Sequence, residues 1–499
     1  MKYRCISLFL CLGLLLTGCV QDDSGQKDII EIEFDSMNPT PDLSYEVPLS
    51  VPHILVDQVG YTTDGKKTVI FRGNDLPKEF DVINAQTGEV VYSGRIKQKE
   101  RENTTNDIIG YGDFSDLSEV GTYYIQASVF GRSYDFDIAD DIYDGVFEDA
   151  IDVLGNIQNK KINVTLPIEQ SEQPEIILQG GWITDEEGSQ NLILASRVMI
   201  TVLTAYELYP DSFMSDAEGT DTLETPQILT YLKQQAEWMQ ALQDEKSGGV
   251  YGGIVSDNRQ TVTTYSMEGI NDNATAAYAA ALAKFSYVYK KFDQQYAAQC
   301  LKAADRAWKY IYKQQEGYDA DRIDLPNEII FNAAVELYRA SGWQTYHTTA
   351  KQILENGLDI TTSDWATYGA VAYLTTRHSV EKGYCEALMK QLMGRAELIS
   401  SDARTGAYLT AETAEYSDTD DLLWNMVILS IADYVITNHE YATVIENHQH
   451  YFFGCNPDAV CLVNEEGCDS VGEDGIGIRD DLQLNAYHIF MLSQIMNKE

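Results

Sequence analysis

Alternating apolar and polar positions dominate the chain from Pro52 to about Ile138. Short runs such as Thr68-Val69-Ile70-Phe71 and Tyr134-Asp135-Phe136-Asp137-Ile138 are separated by turn residues. A period of two residues places alternate side chains on opposite faces of a strand. Several such runs in succession are typical of an antiparallel sandwich. We therefore predict a small all-β sandwich over residues 50–140.

After Asp140 the apolar positions recur every three to four residues almost to the C-terminus, and no convincing strand is visible. One helix is predicted to start at Thr225-Pro226, because proline suits the first turn of a helix. Further helices are predicted over Ala274–Tyr289, Gln294–Ile311, Glu328–Ser341, Trp365–Tyr373, Leu422–Ile436, Tyr441–Phe453 and Leu484–Met496. With the remaining stretches the number approaches a dozen, which suits an all-α (α/α)6 barrel over residues 141–499. Periodicity alone does not distinguish this barrel from an irregular helical array.

The N-terminus carries Lys2 and Arg4, then an apolar stretch from Ile6 to Leu16. This pattern predicts a secretion signal over residues 1–19, because the stretch is too short to span a bilayer. Its ending, Leu16-Thr17-Gly18-Cys19, resembles a bacterial lipobox, which implies lipidation of Cys19 and attachment to the cell envelope, outside the cytoplasm. An ordinary cleaved signal with an incidental cysteine is the alternative. Residues 20–49 are polar and acidic and are predicted to form a linker.

The formal net charge of -43, from 78 acidic and 35 basic residues, excludes a nucleic-acid partner, since binding to phosphate backbones needs a basic surface. Five cysteines remain after the signal segment, so they cannot all be paired. Cys455, Cys461 and Cys468 are close enough in sequence for one disulfide, and their spacing does not match a structural zinc site.

Several short motifs together resemble glycoside hydrolase family 9, the cellulase family, with its N-terminal immunoglobulin-like domain. The motifs are Ile54-Leu55-Val56-Asp57-Gln58-Val59-Gly60-Tyr61, Gly180-Gly181-Trp182, Gly248-Gly249-Val250-Tyr251 and Phe452-Phe453-Gly454-Cys455-Asn456-Pro457. The resemblance extends from about residue 50 to the end of the chain. It implies that an (α/α)6 barrel follows the sandwich, and it therefore favours the barrel over an irregular helical array.

The resemblance also implies hydrolysis of β-1,4-linked glucan or a related polysaccharide with inversion, by one carboxylate acting as base and another as acid. Aligned through Gly-Gly-Trp, the base falls on Glu187, and on Asp185 if the loop is shifted by two residues. The acid falls on Asp481, whereas a second alignment of Asn485 places Arg479 there. The carboxylate at either position could instead cap the N-terminus of a helix or stabilise its dipole.

Other implied properties concern ligands. Trp182, Tyr251 and Trp424 are predicted to contact the polysaccharide. No cofactor is required, and calcium could occupy Asn271-Asp272-Asn273 or Thr419-Asp420-Asp421, although neither fits an EF-hand pattern.

Two departures from the family pattern keep a second interpretation open. Thr184 stands where the family has its first aspartate, and the segment between Pro457 and Asp481 contains no histidine, although the family carries a sugar-gripping His-Arg motif there. The chain is therefore either a glycosidase or a catalytically inactive relative that binds glycan or a partner protein. A third possibility is a glycosidase that uses other acids, among them Glu465, Glu466, Glu473 and Asp474.

Overall fold

The structure, a computed structural model, describes residues 52–101, 107–158, 161–167, 175–214, 225–259, 262–314, 325–411, 418–436, 439–463 and 477–497. The predicted signal segment with Cys19, the linker, Cys468 and the acids at 465, 466, 473 and 474 lie outside these residues. Within them, no helix combines the length and apolar character needed to cross a membrane. Cys455 and Cys461 are free thiols.

The predicted β-sandwich is confirmed. One sheet has the strand order β1-β3-β7-β6 and the other β2-β10-β8-β4-β5, with β9 paired to β8. Val69, Phe71, Phe80, Ile125 and Phe136 are among the side chains that form the core between them. The strands are β1 (Ile54–Leu55), β2 (Gly60–Tyr61), β3 (Thr68–Gly73), β4 (Glu79–Asn84), β5 (Val90–Arg95), β6 (Lys97–Arg101), β7 (Ile108–Asp113), β8 (Gly121–Ala127), β9 (Gly131–Arg132) and β10 (Phe136–Ile138).

Twelve α-helices follow in the described part of the chain, as the barrel prediction requires. The even-numbered helices are buried over most of their length and the odd-numbered ones are more amphipathic, which is the pattern of an inner and an outer ring. The helices are α1 (Asp144–Asn156), α2 (Leu192–Leu208), α3 (Gln227–Ala241), α4 (Asp272–Tyr289), α5 (Gln294–Gln314), α6 (Asn327–Ser341), α7 (Gln344–Glu355), α8 (Asp364–Thr375), α9 (Lys382–Thr405), α10 (Thr419–Ile436), α11 (Ala442–Phe452) and α12 (Leu482–Ile495).

The inner ring packs in sequence order. Helix α2 packs on α4, α4 on α6 and α6 on α8, while α12 packs on both α10 and α2. The rings of Tyr368 in α8 and Trp424 in α10 meet edge to face, with centroids 5.8 Å apart. Residues in the first halves of α2, α8 and α12 contact one another, as do residues in the second halves of α2, α4 and α6. The inner helices therefore point the same way, and their N-terminal ends gather at one face of the barrel.

A third sheet corrects the expectation that no strand follows Asp140. Its order is β12-β11-β15-β14-β13, and it lies within the helical part of the chain. The strands are β11 (Ile162–Thr165), β12 (Glu175–Leu178), β13 (Gln190–Asn191), β14 (Gly253–Asp257) and β15 (Thr264–Met267). Because β13 runs directly into α2, this sheet fixes the loop that follows Trp182.

The sandwich and the barrel meet at a buried carboxylate. Asp57 is 0% exposed, and its Oδ2 atom lies 2.9 Å from the hydroxyl of Tyr143 and 2.9 Å from Nδ1 of His450. Its Oδ1 atom accepts the backbone N–H groups of Val59 and Gly60. Burial raises the pKa of Asp57, although the hydrogen bond from His450 opposes this shift. The motif around Asp57 therefore forms a contact between the sandwich and the barrel.

A buried charge network holds the inner helices together near their C-terminal ends. Lys284 in α4 is 0% exposed, and its Nζ atom lies 3.0 Å from Oε2 of Glu207 and 3.1 Å from Oε1 of Glu336. Arg339 in α6 donates to both carboxylate oxygens of Glu207. The four charges sum to zero, so each ion has a counter-charge in place of the water it lost.

Lys284→Met is expected to lower the free energy of unfolding by about 3 to 5 kcal/mol, because it leaves the fully buried Glu336 without its nearest cation. The control is Lys382→Met, which breaks the exposed pair with Glu386 and should cost less than about 1 kcal/mol. Urea unfolding followed by circular dichroism measures both variants. Equal losses in the two would contradict a stabilising role for the buried network.

Candidate functional site

At the N-terminal face of the inner ring, three helices bring an ion pair and a phenol together. Nε of Arg197 in α2 donates to Oδ2 of Asp364 in α8, and Nη2 of Arg197 donates to the hydroxyl of Tyr487 in α12 at 2.8 Å. The hydroxyl of Tyr487 donates in turn to Oδ2 of Asp364 at 3.2 Å. Although burial opposes it, Asp364 raises the pKa of Arg197, so the guanidinium stays charged. Arg197 is thus a positive group held in place by Asp364 and Tyr487.

The local sequence explains the position of Asp364. It is the first residue of α8, where the exposed N–H groups and the helix dipole favour a carboxylate. The backbone N–H of Trp365 also donates to its Oδ1 atom at 2.8 Å. The side chain of Asp364 is only 5% exposed, whereas that of Arg197 is 34% exposed. Arg197 is thus the member of this pair that can meet a ligand.

A second set of carboxylates begins α10 and α12. Asp420 and Asp421 lie in the first turn of α10, and Asp481 is the N-cap of α12. Oδ1 of Asp481 accepts the backbone N–H groups of Gln483 at 2.8 Å and Leu484 at 2.9 Å. The capping alternative for Asp481 is therefore observed, and its role as acid stays a prediction.

The pKa of Asp420 is raised. The largest cause is partial desolvation, which Arg197 opposes, and the negative charges of Asp421, Asp481 and Asp364 add to it. A carboxyl group with a raised pKa keeps its proton to higher pH, which is what a general acid requires. The sequence had suggested Asp420 only as part of a calcium loop.

The loop after Trp182 forms one wall of the cleft. A cavity of about 620 Å³ is lined by Asp185, Arg197, Glu268 and Trp365, among others. Oδ1 of Asp185 accepts the backbone N–H of Ser189 at 2.8 Å, which fixes this carboxylate in the turn. The base predicted on the shifted alignment therefore faces the same cavity as Arg197.

Glu187, the base predicted without a shift, is exposed and is absent from the residues that line this cavity. Its backbone carbonyl accepts hydrogen bonds from Oγ of Ser256 at 2.6 Å and from Nδ2 of Asn258 at 2.8 Å. These bonds attach its backbone to β14 and the residue after it. Its catalytic role stays a prediction.

The three predicted aromatic contacts have different outcomes. Trp182 is 0% exposed and its indole N–H donates to the carbonyl of Leu154 at 2.8 Å, so the predicted sugar contact of Trp182 is incompatible with its burial. Tyr251 is 8% exposed, which leaves little surface for a ligand. Trp424 is half-buried, and its ring lies 5.5 Å from that of Tyr487. Trp424 alone of the three lies beside the cleft carboxylates.

No group of three or more His, Cys, Asp or Glu side chains suited to a metal ion occurs in the described ranges. In one suggested calcium loop, Oδ1 of Asn271 accepts the backbone N–H of Ala274 at 2.9 Å and caps α4. In the other loop, Asp420 and Asp421 belong to the first turn of α10. Calcium binding at either loop stays a prediction.

Sequence reasoning missed Arg197, Asp364 and Tyr487. The ion pair joins residues 167 positions apart, so no local pattern connects them. One signal was nevertheless present, because Arg197 is the single charged residue in the largely apolar segment 192–206. A cation placed there needs a buried partner.

Comparisons with known proteins agree with this architecture. The family model described as glycosyl hydrolase family 9 matches residues 155–471, and that of a cellulase N-terminal Ig-like domain matches residues 50–131. A cellodextrinase of Butyrivibrio fibrisolvens is 22% identical over 474 residues, covering 83% of this chain and 85% of that protein. A xyloglucan-specific endo-beta-1,4-glucanase of Bacteroides ovatus is 20% identical over 492 residues, covering 84% and 81% respectively.

Solved structures show the same fold. A metagenome-derived glycoside hydrolase family 9 endoglucanase superposes with a TM-score of 0.77 at 20% identity, covering 89% of this chain and 99% of that one. A family 9 structure from Bacteroides ovatus superposes with a TM-score of 0.75 at 17% identity. Since the family model spans 155–471, more than half of the 499 residues, this chain belongs to glycosyl hydrolase family 9 and carries the family's immunoglobulin-like domain in front of its helical barrel.

Proposed function

We propose that this protein hydrolyses a β-1,4-linked glucan or a related polysaccharide with inversion at the anomeric carbon. One observation carries the proposal: Arg197 lines the same cavity as Asp185, and its charge also acts on the carboxyl group of Asp420 at the start of α10. An inverting glycosidase needs two carboxyl groups about 6.5 to 9.5 Å apart, with room for a water between them.

In the proposed mechanism, Asp185 removes a proton from a water molecule while that water attacks the anomeric carbon. Asp420 gives its proton to the glycosidic oxygen as the bond to that carbon breaks. The position of Asp185 in the cavity wall supports its role as the base. The raised pKa of Asp420 supports its role as the acid. Glu187 and Asp481 are the alternative base and acid from the sequence alignment. Trp424 is proposed to contact the sugar beside them.

We further propose that the protein acts at the bacterial cell envelope, attached through lipid on Cys19. The support is the segment Leu16-Thr17-Gly18-Cys19 after a short apolar stretch, followed by the acidic linker to residue 49. A protein anchored there would encounter a polymeric glucan outside the cytoplasm. The two proposals are therefore consistent with each other.

A second candidate function is glycan binding without turnover. It is favoured by the capping bonds of Asp481, whose Oδ1 atom already accepts two backbone N–H groups, and by the burial of Trp182. An altered cleft of this kind could retain affinity for a polysaccharide while lacking an acid in the family's position.

Hydrolysis assays separate the two functions. The chain lacking residues 1–19 is incubated with carboxymethylcellulose, mixed-linkage β-glucan and xyloglucan, and new reducing ends are measured. We expect turnover of at least one glucan, with an α-configured product detected by NMR. Glycan binding in affinity electrophoresis without any new reducing ends would establish the second function instead.

A further inference from the structure

A second cavity lies at the opposite end of the barrel, where the inner helices finish. Its volume is about 910 Å³, and the C-terminal ends of α2, α4 and α6 contribute Glu207, Lys290, Lys291 and Arg339 to its wall, with Arg377 from the segment after α8. Glu207 is ten residues beyond Arg197 on α2, roughly 15 Å along the helix axis. This cavity is therefore separate from the cleft that holds Asp185.

The charge of this cavity is opposite to that of the whole chain. Glu207 is the one acidic residue in its wall, and its carboxylate is already taken by Lys284 and Arg339. Lys290, Lys291 and Arg377 are exposed, and within the described part of the chain none of them has a carboxylate at salt-bridge distance. Nζ of Lys291 lies over the rings of Tyr206 and Phe292. Three cations without a carboxylate partner in the described ranges thus surround one cavity, in a chain of net charge -43.

Arg339 adds a second, independent observation. Its side chain is 1% exposed, yet its Nε atom has no hydrogen-bond partner among the described residues. The guanidinium lies 4.0 Å from the ring centroid of Tyr287, which also lines the cavity. Burial and the nearby charge of Arg377 lower the pKa of Arg339 to about 9. An anion bound beside both guanidinium groups would offset this unfavourable charge effect.

Helix dipoles supply a competing explanation. The C-terminal ends of helices carry partial negative charge, so lysine and arginine are favourable there even without a ligand. Dipole compensation accounts for the exposed cations, since these can point into water. It does not account for a buried Nε atom without a partner beside a cavity of this size.

We propose that this cavity binds the oxyanion group of a small ligand, a phosphate or a carboxylate, between Lys290, Lys291 and Arg377. The three side chains carry the charge that recognises an oxyanion, and Arg377 offers the paired N–H groups that suit either acid. The half-buried ring of Tyr287 gives the rest of the ligand an apolar surface. The site does not depend on catalysis in the other cleft.

Calorimetric titration of the full-length chain tests the proposal, with inorganic phosphate and glucuronate as separate probes. We expect saturable binding of at least one probe, weakened at least about ten-fold in the triple variant Lys290→Gln, Lys291→Gln, Arg377→Gln. The matched control replaces three exposed lysines elsewhere, Lys78, Lys246 and Lys390, by Gln and changes the net charge equally. It should leave the affinity within about two-fold, because salt screens distant surface charges.

The two probes identify the acid group, since binding of phosphate alone or of glucuronate alone each supports the site and names its chemistry. Absence of binding by both probes would overturn the proposal and leave dipole compensation as the role of the cations. Equal weakening in the control variant would also overturn it, because the effect would then come from net charge. All six replaced side chains are exposed, so thermal unfolding midpoints should match the parent and confirm that folding is intact.

Discussion

Asp185→Asn is expected to lower kcat/KM on a soluble β-1,4-glucan by about 10³-fold, whereas Glu187→Gln should change it by less than about three-fold. An amide cannot accept the proton of the attacking water, and a well-placed general base contributes about 10² to 10⁴-fold to the rate. The difference between the two variants rests on position. Asp185 lines the cavity that Arg197 shares, while Glu187 lies outside it.

The measurement should distinguish a lost base from a distorted loop. In the Asp185→Asn variant, the oxygen of the new amide can still accept the hydrogen bond from the N–H of Ser189, so the turn is preserved. Added azide needs no deprotonation, so it should restore turnover in this variant and yield an α-glycosyl azide. A large loss in Glu187→Gln with near-normal Asp185→Asn would show that the ungapped sequence alignment is right and that the loop moves when substrate binds.

The fold could be predicted from the sequence because most of its elements are long and strictly periodic. The helix expected over Glu328–Ser341 is observed at Asn327–Ser341, and that expected over Leu422–Ile436 at Thr419–Ile436. In these two helices the differences lie at the N-terminal ends, where polar first-turn residues such as Asp420 interrupt the apolar pattern. Such residues belong to the helix because they face its free N–H groups.

The third sheet was missed for a different reason. Its strands have two to five residues, as in β13 (Gln190–Asn191), and none is long enough to show a period. Two of its pairings join distant parts of the chain, Gln190 with Ile254 and Val164 with Tyr265, which only the folded chain reveals. Tertiary context, rather than local propensity, determines these strands.

The site was predictable only in part. The resemblance led to the loop after Trp182, and Asp185 does line the cleft. It also led to a sugar contact by Trp182, which failed because the indole ring fills the core against α1 and its N–H is bonded to Leu154. Large aromatic side chains serve cores and ligand sites equally well, so residue type could not decide. Asp420 became a candidate proton donor only in the folded chain, where burial and then the charges of Asp421, Asp481 and Asp364 raise its pKa.

Asp420→Asn is expected to lower the rate on a soluble β-glucan by about 10² to 10³-fold while leaving the rate on a 2,4-dinitrophenyl β-cellobioside within about five-fold. A glucan's leaving oxygen must gain a proton, whereas dinitrophenolate leaves without one. Asp481→Asn is the matched control, since it removes a neighbouring carboxylate that caps α12. If Asp420 is the acid, Asp481→Asn should lower the rates on both substrates by the same factor, because it acts only through the stability of α12.

The pH dependence supplies a readout that a merely structural role would not change. Because the pKa of Asp420 is raised, the group stays protonated above the ordinary range of a carboxyl. The rate on glucan should therefore fall as the pH increases through that raised pKa, since the proton donor is lost. This alkaline fall should be absent for the dinitrophenyl substrate and absent in the Asp420→Asn variant. If the fall persists in Asp420→Asn but disappears in Asp481→Asn, the proton comes from Asp481, and the sequence alignment had identified the acid correctly.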